Sequence, residues 1–81
     1  MENMLPIELT KYLLAQSRVI TKGERIRDVQ RLVDLYGGKK SKWVKKSSPT
    51  FEHNGISYEY HWYEQHGIGR FEVKLKEVAA K

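Results

Sequence analysis

The stretch Phe51-Glu52-His53-Asn54-Gly55-Ile56-Ser57-Tyr58-Glu59-Tyr60-His61-Trp62-Tyr63-Glu64 decides the fold. Asn-Gly between two extended runs is the strongest short-range hairpin signal, because both central residues of the turn need positive φ. It pairs His53 with Ile56, Glu52 with Ser57 and Phe51 with Tyr58. Past the turn the period is two. Ile56, Tyr58, Tyr60 and Trp62 share one strand face, and Ser57, Glu59, His61 and Tyr63 share the other. A further strand runs from about Gly69 to Glu77, with Phe71, Val73 and Leu75 on one face. Directly opposed residues share a face, so only an even loop length joins the two apolar sets. That register pairs Trp62 with Phe71, Tyr60 with Val73 and Tyr58 with Leu75. On the opposite face it pairs Tyr63 with Arg70, His61 with Glu72, Glu59 with Lys74 and Ser57 with Lys76.

Upstream the period is helical. Residues 6–17 read as a helix with Pro6 in its first turn, where a missing N–H costs nothing. Residues 22–36 read as a second helix. Thr21 and Glu24 have the spacing of a capping box; Ile26, Val29, Leu32, Val33 and Tyr36 form an apolar stripe; Gly37-Gly38 ends it. Arg25, Arg27 and Arg31 fall on the polar side, read as a solvated face laced with i, i+3 and i, i+4 pairs. Trp43-Val44-Lys45-Lys46 is a short strand or a lead-in, and Ser47-Ser48-Pro49 a break. The expected fold is α+β: two N-terminal helices packed on a three- to four-stranded antiparallel β-sheet. It is one domain over 1–81, with a helical part at 6–36 and a β-meander at 42–77. The second helix covers the Tyr58–Tyr60–Trp62 face with the first beside it, and the His61 face stays uncovered.

Composition narrows the function. A chain of 81 residues allows one domain. Without cysteine it has no disulfide, no thiolate metal site and no cysteine nucleophile. No apolar run is long enough for a membrane span, and Met1-Glu2-Asn3 opens nothing like a secretory signal. The formal net charge is +5. Lys39, Lys40, Lys42, Lys45 and Lys46 stand together without an acid, while the rest of the chain nearly balances. A lysine run is commonly a solvated loop. Trp43 inside this one supplies the other half of what nucleic-acid binding needs, an aromatic for base stacking beside cations for phosphate. Lys42, Trp43, Lys45, Lys46 and Tyr63 are therefore the candidate nucleic-acid contacts.

The uncovered face holds the candidate chemistry. In the expected register His61 and Glu72 are cross-strand neighbours with Cβ atoms about 4.5–5.5 Å apart, and Arg70 and Lys74 flank Glu72. RNA cleavage without metal needs a base for the 2′-hydroxyl, an acid for the leaving 5′-oxygen and a cation for the phosphorane. The assignment is His61 as acid, Glu72 as base, and Arg70 with Lys74 as transition-state cations. The competing interpretation is an ordinary cross-strand ion pair. His53 falls at the rim of the aromatic face and His66 in a turn. The three histidines show no recognised metal-ligand spacing, and no cofactor is expected.

The blocks Tyr36-Gly37-Gly38, Trp43-Val44-Lys45-Lys46-Ser47-Ser48, Glu59-Tyr60-His61-Trp62-Tyr63-Glu64 and Phe71-Glu72-Val73-Lys74 resemble the C-terminal toxin domains of bacterial polymorphic toxins of the Rhs and filamentous-haemagglutinin types. The resemblance spans Leu32 to Lys76. It implies a compact ribonuclease-like architecture, a toxin acting on cytoplasmic RNA, tRNA among it, and a cognate immunity protein as partner. Secreted delivery stays open. The expected function is a metal-independent endoribonuclease of toxin type. The alternatives are a non-catalytic nucleic-acid-binding module and a protein-interaction domain.

Overall fold

The fold is built around one strand of ten residues, Ile56–Gln65, to which three others pair directly. The computed structural model describes residues 10–79. In chain order these form α1 (Lys11–Ala15), β1 (Arg18–Lys22), a 3-10 turn at Gly23–Arg25, α2 (Val29–Tyr36) and a second 3-10 turn at Lys40–Lys42. Then come β2 (Val44–Ser47), β3 (Phe51–His53), β4 (Ile56–Gln65) and β5 (Gly69–Glu77). β2 and β3 pair with the two ends of the same edge of β4, and β5 takes its other edge. β1 lies outside β2. All pairs are antiparallel.

This sheet-dominated architecture overturns the expected pair of N-terminal helices on a meander. Five strands are present, and the one α-helix longer than five residues among those described, α2, follows the first strand. The segment 22–36 fails as a single helix for local reasons. Val19-Ile20-Thr21 is a run of β-branched residues, stiff at χ1 and suited to a pleated strand. Thr21 consequently pairs opposite Lys45 in β1 and caps nothing. Gly23 then takes φ +61°, outside the helical range, and donates its N–H to the Trp43 carbonyl at 2.8 Å. Helix geometry begins only after Asp28. Its end is the expected one: Gly37 adopts φ +92° and its N–H returns to the Val33 carbonyl at 2.8 Å. Of the helix expected over 6–17, Pro6, Ile7 and Leu9 lie outside the described residues. Its described part is capped by Thr10, whose hydroxyl accepts from the Leu13 N–H at 3.3 Å.

The Asn54-Gly55 hairpin forms with the expected pairs, Phe51–Tyr58, Glu52–Ser57 and His53–Ile56. The second hairpin does not. Gln65 pairs with Gly69, so the loop is the odd one, His66-Gly67-Ile68. An odd loop turns Phe71 onto the Tyr63 face, directly opposite Tyr63. A bulge then resets the alternation. Glu72 takes φ +58°, a left-handed value usually left to glycine in bulges. The ladder resumes with His61 opposite Lys74, Tyr60 opposite Leu75 and Tyr58 opposite Glu77. One strand thus sends Phe71 to one face and Leu75 to the other.

Both faces gain a core as a result. On one, buried Tyr60 and Trp62 cluster with Leu13 of α1, and Leu14, Phe51 and Leu75 pack at the edges. On the other, Trp43 clusters with Ile26, Val29 and Leu32, flanked by Val33, Tyr36, Tyr63 and Phe71. Tyr36 stacks on Phe71 with ring centroids 4.0 Å apart. The two helices therefore cover opposite faces. α2 lies over the Tyr63 end of the face expected to be bare, and leaves its His61 end open.

Candidate active site

His61 projects from the open half of the α2 face, and strand pairing dictates its company. Ser47 of β2 and Lys74 of β5 lie directly opposite it. Glu59 and Tyr63 stand two residues away on the same strand and hence on the same face. Lys45 and Lys76 join them through their partners Tyr63 and Glu59. Lys45, His61, Tyr63, Glu72, Lys74 and Lys76 line a hollow of about 60 Å³. The Lys45 ammonium sits 5.8 Å from the Tyr63 ring centroid, within cation–π range.

The acid partner of His61 is Glu59. His61 Nε2 lies 3.1 Å from Glu59 Oε1. The same carboxylate accepts from Ser47 Oγ at 3.0 Å and Thr50 Oγ1 at 2.7 Å, and Arg18 approaches it to 3.7 Å. Burial pushes the Glu59 carboxyl up, but the hydrogen bonds from His61, Thr50 and Ser47 and the charge of Arg18 outweigh it and hold it below the usual carboxylate range. An ionised carboxylate is an acceptor only, so the ring faces it with a protonated Nε2 and Nδ1 is its other proton site.

Glu72 is otherwise engaged. Arg31 reaches it with two guanidinium nitrogens at 2.7 and 3.0 Å, and the Tyr36 hydroxyl donates to it at 2.7 Å. The Arg31 hydrogen bond is the main reason its carboxyl lies below the ordinary range; Tyr36 adds to this and burial opposes it. The register places Lys74, not Glu72, opposite His61, which corrects the expected His61–Glu72 pair, although both line the same hollow. A carboxylate with three donors and a lowered pKa is a poor proton acceptor at neutral pH.

The remaining candidates divide between the faces. Arg70 pairs with Glu64 on the Trp62 side of the sheet and is exposed, so it stands away from His61. Lys74 is in place. Lys45 and Lys46 alternate across the pleat: Lys46 pairs with Trp62 on the α1 face, where its ammonium lies 3.7 Å from Glu64. Trp43 is fully buried and donates Nε1–H to the Gly37 carbonyl at 3.0 Å, so it stacks on no base. Lys42 is exposed in the 3-10 turn, beside Gly38, Gln65 and His66. Tyr63 is half-buried; burial chiefly pushes its phenol up, keeping the O–H as a donor at neutral pH. His53 is half-buried next to the Asn54-Gly55 turn.

Sequence reasoning missed Glu59, Arg18, Ser47 and Thr50 as a unit. Glu59-x-His61 on one strand was the available signal, since i and i+2 share a face. Ser47 and Thr50 flank the expected break at Ser47-Ser48-Pro49, but what brings them and Arg18 to Glu59 is the long-range pairing of β1 with β2 and of β2 with β4, which no local pattern announces. Compared with protein-family models, with curated proteins and with solved structures, the chain matches none. Among the described residues no helix is long and apolar enough to cross a membrane.

Proposed function

We propose that this chain is a small basic endoribonuclease of toxin type that cleaves RNA with its own side chains, without metal. The observation that supports it is the His61–Glu59 pair, 3.1 Å apart, with His61 facing a hollow also lined by Lys45, Lys74 and Lys76. A phosphodiester drawn to three ammonium groups meets a His61 ring held through Nε2 by Glu59. Lys45 and Lys74 neutralise the phosphate as charge builds in the transition state. The 2′-hydroxyl oxygen attacks phosphorus and the bond to the 5′-oxygen breaks. His61, as imidazolium, gives its Nδ1 proton to that leaving oxygen, and the 2′-hydroxyl proton passes to solvent water. The products are a 2′,3′-cyclic phosphate and a free 5′-hydroxyl. Glu59 is a positioning residue: it holds the ring and balances the imidazolium charge. Cytoplasmic RNA, tRNA included, is the target this reading implies, and the toxin resemblance adds a neutralising immunity protein.

The direct test is incubation of the purified chain with total RNA in EDTA, followed by analysis of the fragment ends. Fragments ending in 2′,3′-cyclic phosphate are expected. Intact RNA retarded on a gel would replace catalysis by binding alone.

A further inference from the structure

A second hollow, of about 390 Å³, adjoins the first. Arg25, Ile26, Arg27, Asp28, Lys45 and Tyr63 line it, and Lys45 and Tyr63 belong to both. Tyr63 follows His61 by two positions on β4, so the hollows are offset by about 6–7 Å along the strand. Its size falls within the span of small-ligand sites, roughly 300–1,000 Å³.

Its charged groups are of two opposite signs, Arg25, Arg27 and Lys45 against Asp28, and Thr21 adds a hydroxyl. Arg25 and Arg27 bring guanidinium donors, and among the described residues neither has an ion-pair partner within 4.0 Å. Asp28 brings a half-exposed carboxylate, approached by Arg31 only to 3.9 Å. It caps α2 in position, yet its side chain makes no capping hydrogen bond. Ile26 and Tyr63 supply apolar wall. Of the four RNA bases, guanine alone presents two acceptors, O6 and N7, beside two donors, N1–H and N2–H. Arginine is the common partner of the first pair, and a carboxylate accepts from the second.

We infer that the Arg25–Arg27–Asp28 hollow is a guanine-binding subsite for the nucleotide adjoining the scissile phosphate. The inference rests on the ribonuclease reading for its role in cleavage, but base binding can be measured without cleavage. The probes are the 3′-monophosphates of guanosine, adenosine, cytidine and uridine, titrated into the full chain by calorimetry. The guanosine nucleotide is expected to bind about 10-fold or more tighter than the others, as one good bidentate contact allows. The isosteric Asp28→Asn chain, its fold checked by circular dichroism, is expected to lose most of that preference. Equal affinity for all four nucleotides, or a preference unchanged in Asp28→Asn, would overturn the subsite. RNA cleaved with no base preference would also remove the subsite while leaving the ribonuclease standing. A guanine preference lost in Asp28→Asn in a chain that leaves RNA intact would support the subsite and remove the ribonuclease.

Discussion

His61 and Glu59 stand two residues apart on one face of β4, with Nε2 and Oε1 separated by 3.1 Å. Ser47, Thr50 and Arg18 anchor the carboxylate from three other parts of the chain. Glu59 engages Nε2 and leaves Nδ1 as the ring's other proton site. Glu59→Gln is therefore expected to lower kcat for RNA cleavage by about 10²-fold, the order of cost of a misplaced catalytic group, with KM nearly unchanged. A parallel rise in KM would make Glu59 a substrate contact instead.

Trp43 separates a stacking role from a core role. It is fully buried and its Nε1–H bonds the Gly37 carbonyl. Trp43→Ala is expected to cost about 3–5 kcal/mol, read as a large fall in the denaturant midpoint. Trp43→Phe is expected to keep the fold and leave RNA affinity unchanged. A loss of affinity in a folded Trp43→Phe chain would return this residue to the nucleic-acid interface.

Lys45 and Lys46 are adjacent in sequence and opposite in space. Lys45 joins the His61 hollow, while Lys46 meets Glu64 on the other face. With single-stranded RNA, Lys45→Ala is expected to reduce the slope of log K against log salt by about 0.7. Lys46→Ala should leave it as it was. Equal effects would mean that RNA wraps both faces.

Glu72 and Glu59 set the acid limb of stability. Both carboxyls lie below their ordinary range in the folded chain. Each contributes stability in full above its unfolded value, about 4.3, and loses it as pH falls through the lower folded value. The melting temperature of the wild type should thus fall as pH drops below about 5. Glu72→Gln loses the ionic part of the Arg31 contact, so its melting temperature should be lower at pH 7 and decline less in acid. Thermal melts from pH 7 to pH 3 check both statements, and parallel curves for the two chains would contradict them.

How much of this was legible follows from which constraints are local. Asn54-Gly55 fixes its own geometry, so the first hairpin and its three pairs were readable. The alternation from Ile56 to Tyr63 correctly separated Trp62 from His61. The second hairpin was not readable. Its odd loop and the left-handed Glu72 cancel each other's effect on facing, and a bulge carried by glutamate has no glycine to mark it. The capping spacing at Thr21 and Glu24 predicts a helix from residue 22, but it competes with the Val19-Ile20-Thr21 run, and strand pairing with β2 wins. The site inherited both errors. The expected register matches Glu72 to His61, whereas a helix expected over the opposite face delivers Arg31 and Tyr36 to it.

On the proposed reading, His61 moves a proton during RNA cleavage. The most direct test of that step is the single-turnover rate of His61→Ala against wild type on one labelled RNA, in EDTA, with affinity measured in parallel. Loss of an acid on the leaving oxygen acts in the transition state and lowers rate rather than binding. Wild-type cleavage, a fall of roughly 10²–10⁴-fold in the variant and nearly constant affinity are the expected result. A His61→Ala chain that cuts as fast as wild type would contradict it.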